Sequence, residues 1–357
     1  MSPYVLHGLK LSYFTGKLEG YLQAKGVPFR YVEMDMADFR ACARATGVAQ
    51  MPQLQGPEGS WLTDTTAILA HFEAAWPEPA LQPADPAAAF LSLFLEDAFD
   101  EWLWRPALYY RWAFAEDARL MSRQIARTML RDLKAPLWLR RRFILARQKR
   151  EFLTRDGVTQ VTAPTVEALY GEVLDTLEPI LSARPYLFGE RPVAADFGLF
   201  GPFFRHFSHD PTPHAILRER APAVEAWVGR LWAARPEALA AAPRPTTTPG
   251  DLDPLLALAV RDHLPELAAH EAALAAGECD IRLTMNGVPW RYPASPYRAA
   301  CLTDLRGKYA ALEPAARAEV DRRLGPAAAA VLAVPPASPV ATPQAGGRPR
   351  DRHWRAL

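Results

Sequence analysis

The chain has 357 residues, of which half are hydrophobic and 23% are charged, a globular composition with room for two or three domains. Its formal net charge of +1 excludes a strongly basic chain, so we predict no nucleic-acid partner. The three cysteines are far apart and form no C-x-x-C pair, which argues against a secreted disulfide framework. Neither a signal peptide nor a long apolar run is recognised, and the prediction is therefore a cytoplasmic protein.

Short apolar runs alternate with helical patterns over the first 80 residues. Strands are predicted at 4–9, 29–34, 51–55 and 61–62, and helices near 15–25, 38–46 and 65–75. This βαβαββα order is typical of a thioredoxin-like domain, which we place at 1–80. A Pro-rich stretch at 76–83 is predicted to be a linker.

The remaining chain divides into two further regions. Residues 86–240 carry helical patterns throughout and predict an all-helical domain. Residues 251–333 predict a small extension with a helix near 252–276, a β-hairpin turning at Asn286-Gly287, and helices near 297–312 and 314–331. The fold class is thus α+β followed by all-α with a helix-hairpin-helix extension. From 334 to 357 the composition predicts a disordered tail.

Hydroxyl and carboxyl side chains stand at two predicted helix starts. Ser12, Tyr13 and Thr15 lie at the mouth of the first helix, where free N–H donors and the positive end of the dipole favour an anion such as a thiolate. Asp64 and Thr65 open a later helix in the same way. Local sequence alone favours simple helix capping at both places.

The order of several motifs resembles the cytosolic glutathione transferase superfamily. The matching segments are 6–14, 24–29, 51–54 with Met51-Pro52, 64–65 and 192–197. The chain departs from the family at three points: Asp64-Thr65 replaces a Glu-Ser pair, Val193 replaces a capping threonine, and Tyr13 replaces a proline. Asp196, which follows Val193, can still support the local fold.

The resemblance implies an enzyme that binds glutathione as a substrate and activates its thiol. Ser12 is the implied catalytic hydroxyl, with Tyr13 and Thr15 as alternatives. Met51, Pro52, Asp64 and Thr65 are the implied glutathione-binding residues, and the proline is expected to be cis. A hydrophobic electrophile or a peroxide is expected against aromatic side chains, for which the candidates are Trp102, Trp104 and Tyr109. The resemblance also implies a homodimer.

Other features leave alternatives open. Residues 123–150 contain ten Lys or Arg and one acid, Asp132, interleaved with apolar residues. We favour a solvated face whose charge is balanced by the acidic 96–101 segment, with contact to an anionic membrane surface or to nucleic acid as the alternatives. His206, His209 and His214 are interrupted by prolines, and no metal is predicted there or elsewhere. The rival function is a non-catalytic interaction protein on the same fold.

Overall fold

The computed structural model describes residues 3–335, and its first unit is a four-stranded sheet flanked by three helices. The elements are β1 (Tyr4–Gly8), α1 (Tyr13–Lys25), β2 (Phe29–Glu33), α2 (Met36–Thr46), β3 (Gln53–Gln55), β4 (Trp61–Thr63) and α3 (Thr65–Ala75). The sheet order is β2-β1-β3-β4, with β1 and β2 parallel and the other pairs antiparallel. The predicted thioredoxin-like order is confirmed.

Nine α-helices form the second part of the chain. They are α4 (Pro86–Glu101), α5 (Trp104–Ala113), α6 (Ala115–Thr128), α7 (Leu137–Phe152), α8 (Ala163–Ala183), α9 (Ala194–Pro202), α10 (Pro211–Arg220), α11 (Pro222–Trp232) and α12 (Pro236–Ala241). A π-helical turn, Phe203–Phe207, continues α9. Helix α9 is buried along its whole length and packs between α1 and α4, so it fixes the sheet unit against the helical part.

Asp196 holds the start of α9 in place of the missing capping threonine. Its carboxylate accepts hydrogen bonds from the backbone N–H groups of Val193 and Leu187, both at 3.0 Å, and from the Trp227 indole at 3.3 Å. Burial raises the pKa of Asp196 to about 6, and these three donors oppose that shift. The local structural role predicted for Asp196 is confirmed.

The extension adds one long helix, a hairpin and three shorter helices. They are α13 (Asp253–Ala275), β5 (Asp280–Met285), β6 (Val288–Pro293), α14 (Pro296–Ala310), α15 (Pro314–Leu324) and α16 (Pro326–Leu332). Asn286 and Gly287 both have positive φ, 50° and 75°, as the predicted hairpin turn requires. The single helix predicted over 314–331 is wrong, because Gly325-Pro326 ends one helix and starts another. Residues 336–357 of the predicted disordered tail lie outside the described residues.

A buried network of charges joins the extension to the helical part. Glu266 of α13 accepts hydrogen bonds from Arg105 of α5 at 2.8 Å and from Arg298 of α14 at 2.9 Å. Asp156 accepts from Arg105 at 3.1 Å, and the Tyr292 hydroxyl of β6 donates to Glu266. Every residue of this network is buried, so the network fixes the extension to the helical part.

No helix within 3–335 is both long and apolar enough to cross a membrane.

Candidate active site

Ser12 lies at the start of α1, immediately after the loop that follows β1. Its backbone is extended, and its Oγ accepts a 3.4 Å hydrogen bond from the Thr15 backbone N–H. The capping role is therefore real, but the bond is long. The Ser12 hydroxyl proton has no acceptor among residues 3–335, and the side chain is half-buried. A free O–H donor thus stands beside the positive end of a helix dipole.

The two alternative hydroxyls at this helix are turned away from solvent. The Tyr13 hydroxyl donates to the Phe99 carbonyl, and burial, together with Asp100 and Glu101, raises the pKa of Tyr13 well above its usual value. Thr15 is fully buried against Gly8, where an added Cβ would lie only 2.7 Å from its Oγ1. Of the three candidates, Ser12 alone is open to a ligand in this structure.

Asp64 starts α3 with an unusual backbone conformation for a residue other than glycine. Its φ of 70° lies in the left-handed region, a conformation that such residues adopt mainly at functional or tightly constrained positions. One carboxylate oxygen caps the helix by accepting from the Thr66 N–H at 3.0 Å. Thr65 is buried beside it. The Met51–Pro52 peptide bond is cis, as the resemblance implies.

A buried cation links the starts of α1 and α3 to α4. Lys17 is fully buried, its ammonium donates to Glu96 and Asp100, and it lies 3.4 Å from the Thr66 hydroxyl. Two carboxylates share this one ammonium. Burial raises the pKa of Asp100 well above its usual value; Lys17 opposes the shift and Glu96 adds to it. The second oxygen of Asp100 has no partner among residues 3–335.

The three aromatic candidates occupy different environments. Trp104 is half-buried beside the α1 start, stacking on Phe14 with ring centroids 5.6 Å apart and meeting the Tyr13 ring at 5.6 Å. Trp102 is buried in the core, as is Tyr109, whose hydroxyl donates to Glu167. In this structure only Trp104 of the three offers an accessible apolar surface near Ser12.

Two residues at this site were missed by the sequence reasoning. The Tyr297 hydroxyl of α14 donates to the second carboxylate oxygen of Asp64 at 3.1 Å, although the two residues are 233 positions apart. Arg111 of α5 donates to the Leu11 carbonyl at 2.7 Å, which holds the loop before Ser12. Neither residue belongs to a local motif, so only long-range packing reveals them.

Other charged side chains near the candidate site pair over long distances in the sequence. Arg105 donates to Asp156 and Glu266. His206 lies near the Ala107 carbonyl, and His214 pairs with Glu225. A different cluster, His7, Asp38 and Cys42, brings three potential metal-ligand atoms within 4.8 Å of one another. Its members come from β1 and α2, which explains why residue spacing did not indicate it.

Comparison with known families gives two matches, one for each of the first two parts of the chain. The model of the glutathione S-transferase N-terminal domain matches residues 6–80, and the model of the C-terminal domain matches residues 149–230. The chain therefore belongs to the glutathione S-transferase superfamily. No similar protein was found among curated proteins.

Several solved structures are similar to the chain at low sequence identity. The β-etherase LigF from Sphingobium sp. strain SYK-6 is 22% identical, covering 67% of this chain and 97% of its own, with a TM-score of 0.46. A glutathione S-transferase from Methylobacterium radiotolerans, in complex with glutathione sulfonate, is 20% identical, covering 69% and 99%, with a TM-score of 0.40. A glutathione S-transferase-like protein from Pseudomonas syringae is 18% identical, covering 70% and 78%, at 0.44.

Proposed function

We propose that the chain is a glutathione-dependent transferase in which the Ser12 hydroxyl activates the glutathione thiol. The observation that carries this proposal is the half-buried Ser12 hydroxyl, which has a free proton at the N-terminus of α1. A free thiol has a pKa of roughly 8.5, so only a few per cent is thiolate at neutral pH. A donated hydrogen bond and the helix dipole both stabilise the anion, which enlarges the reactive fraction.

The other end of glutathione carries an amine and a carboxylate, and the chain has suitable groups for both. The backbone N–H and the hydroxyl of Thr65, at the start of α3, suit the γ-glutamyl carboxylate. The partnerless Asp100 oxygen and the Asp64 carboxylate suit the amine. Backbone groups at Met51, before Pro52, are the proposed partners of the peptide, on the strength of the resemblance.

The proposed reaction is a nucleophilic substitution or addition by sulfur. The thiol gives its proton to solvent, and the thiolate forms a carbon–sulfur bond while a leaving group such as chloride departs with its electron pair. Trp104 and Phe14 form the apolar surface against which a hydrophobic electrophile would lie. We further propose a cytoplasmic homodimer, with domains at 1–80, 86–240 and 251–333.

Retention on immobilised glutathione, followed by conjugation to 1-chloro-2,4-dinitrobenzene, tests the proposal. We expect Ser12→Ala to bind glutathione but to lose about 10²-fold in kcat, as for loss of one donor to a developing anion. Ser60→Ala, in the exposed β3–β4 turn, is the matched control and should keep full activity. A folded wild-type protein without measurable glutathione binding would contradict the proposal.

The second candidate function is a non-catalytic interaction protein on the same fold. The exposed basic and apolar surface on α6 and α7 favours it, because nothing in conjugation chemistry requires that surface. Conjugate formation by folded protein distinguishes the two candidate functions. An interaction protein would give no conjugate with any electrophile while remaining folded.

A further inference from the structure

Helix α7 buries one side and exposes an unusual combination of residues on the other. Leu137, Ile144 and Leu145 pack against the core. The opposite side carries residues at helical spacing that are exposed, and we call them the basic–apolar face: Trp138, Leu139, Arg142, Phe143, Ala146, Lys149 and Arg150. Trp138 is 68% exposed, Leu139 45% and Phe143 40%.

Large apolar side chains are concentrated here rather than scattered over the molecule. Within residues 3–335, nine large hydrophobic side chains are exposed, and five of them lie on α6, α7 and the segment between them: Leu120, Leu133, Trp138, Leu139 and Phe143. Single exposed apolar residues are ordinary, but a contiguous group indicates an interaction site.

The positive charge of residues 123–150 is only partly neutralised by the protein, through the ion pairs Arg131–Asp35 and Arg150–Glu151. The expected balance with the acidic segment 96–101 is wrong, because those acids pair elsewhere: Glu96 and Asp100 with Lys17, Asp97 with His263, and Glu101 with Arg298. Seven cations of 123–150 have no ion pair within the described part of the chain: Arg123, Arg127, Lys134, Arg140, Arg141, Arg142 and Lys149. This excess of positive charge favours an anionic partner.

We propose that the basic–apolar face docks on an anionic lipid bilayer. Exposed Trp, Leu and Phe side chains insert at the headgroup boundary, while Lys and Arg contact lipid phosphates. Aliphatic side chains such as Leu139 have no counterpart on a phosphate backbone, which disfavours nucleic acid. A second copy of this chain presents the same positive charge, so a symmetric pairing through this face is repelled.

Co-sedimentation with lipid vesicles tests the proposal on the full chain. We expect binding to phosphatidylcholine vesicles that contain a quarter phosphatidylglycerol, weak binding to pure phosphatidylcholine, and loss of binding in high salt. Each basic residue near an anionic surface contributes roughly fivefold in affinity. The variant Arg142→Glu/Lys149→Glu should therefore bind at least tenfold more weakly.

Two controls separate this face from general charge and general hydrophobicity. Arg30→Glu/Arg282→Glu makes the same charge change at exposed residues of β2 and β5. This variant should bind anionic vesicles nearly as tightly as wild type, with only the small loss that its lower net charge causes. Trp138→Ala/Phe143→Ala should also weaken binding to the vesicles. Val161→Ala should not, although Val161 is as exposed as Trp138.

Several outcomes would overturn the proposal. Folded wild-type protein that stays in the supernatant with anionic vesicles excludes it. Equal losses in both charge variants would assign the binding to net charge. Tighter binding to duplex DNA that is unaffected by Trp138→Ala/Phe143→Ala would identify a nucleic-acid surface. A dimer in sedimentation velocity that Arg142→Glu/Lys149→Glu disrupts would identify an interface between copies.

Discussion

At the scale of single residues, the candidate site contains side chains that support the fold and are also the proposed ligand contacts. Asp64 uses one oxygen to cap α3 and the other to accept from Tyr297. Ser12 accepts a capping bond and retains a free proton. A capping interpretation and a catalytic one therefore do not compete, because acceptor and donor are different parts of the same side chain.

Tyr297→Phe tests whether the extension contributes to the proposed glutathione site. The substitution removes the hydrogen bond that holds the second carboxylate oxygen of Asp64. Because Tyr297 is 40% exposed, the expected effect on glutathione affinity is moderate. We expect the dissociation constant of glutathione, measured by calorimetry, to rise roughly three- to tenfold. Tyr309→Phe is the matched control, since the Tyr309 hydroxyl donates to Asp321 within the extension. Tighter binding in Tyr297→Phe would show instead that this tyrosine blocks the site.

At the scale of elements, the loop before α1 is held by a helix that is distant in sequence. Arg111 of α5 donates to the Leu11 carbonyl and to both oxygens of Asp210 at the start of α10, at 2.7 and 2.9 Å. Burial raises the pKa of Asp210 to about 6, while Arg111 opposes the shift. The position of Ser12 thus depends on a buried ion pair between two helices.

Arg111→Met leaves the buried Asp210 without its cation. Without Arg111, the pKa of Asp210 in the folded variant should rise further, because nothing then offsets the cost of burying its negative charge. The folded variant therefore loses stability as the pH rises through this raised pKa. We expect a loss of about 3 kcal/mol in the free energy of unfolding at pH 8, with a smaller loss at pH 5 where Asp210 is protonated. Arg111→Met/Asp210→Asn should recover part of the loss at pH 8. A loss that is identical at both pH values would contradict this account.

At the scale of the whole molecule, the extension is part of the folded core rather than an appendage. Arg105, Glu266 and Arg298 connect α5, α13 and α14 in one buried network. Burial alone would raise the pKa of Glu266, but Arg105 and Arg298 outweigh it and hold that pKa well below its usual value. Glu266 therefore contributes stability that is present above its ordinary pKa and lost as pH falls towards its lowered pKa.

Glu266→Gln tests the attachment of the extension. Arg105 and Arg298 would lose the anion that they share and keep only Asp156 and Glu101. We expect a loss of about 3 kcal/mol at pH 7 in the free energy of unfolding, with earlier proteolysis after residue 250. The difference from wild type should shrink in strong acid, where the wild-type glutamate is itself protonated. Glu219→Gln, at an exposed position of α10, should have little effect. An unchanged denaturation midpoint for Glu266→Gln would refute a stabilising role for the network.

The sequence by itself determined the elements of the sheet unit and the hairpin of the extension, because strand and helix periods, Gly26 and Gly47 at helix ends, and Asn286-Gly287 in a turn are local properties. It did not divide residues 86–240 into nine helices or 314–331 into two. It also indicated Ser12 and Asp64, since helix starts are readable from neighbouring residues. Only the tertiary structure decided which groups face them. Tyr297, Arg111 and Asp100 reach the site through packing between elements up to 233 residues apart, and no local pattern encodes such distances. The same holds for charge: the acids of α4 pair with Lys17, His263 and Arg298, which leaves Arg142 and Lys149 of the basic–apolar face without an ion pair.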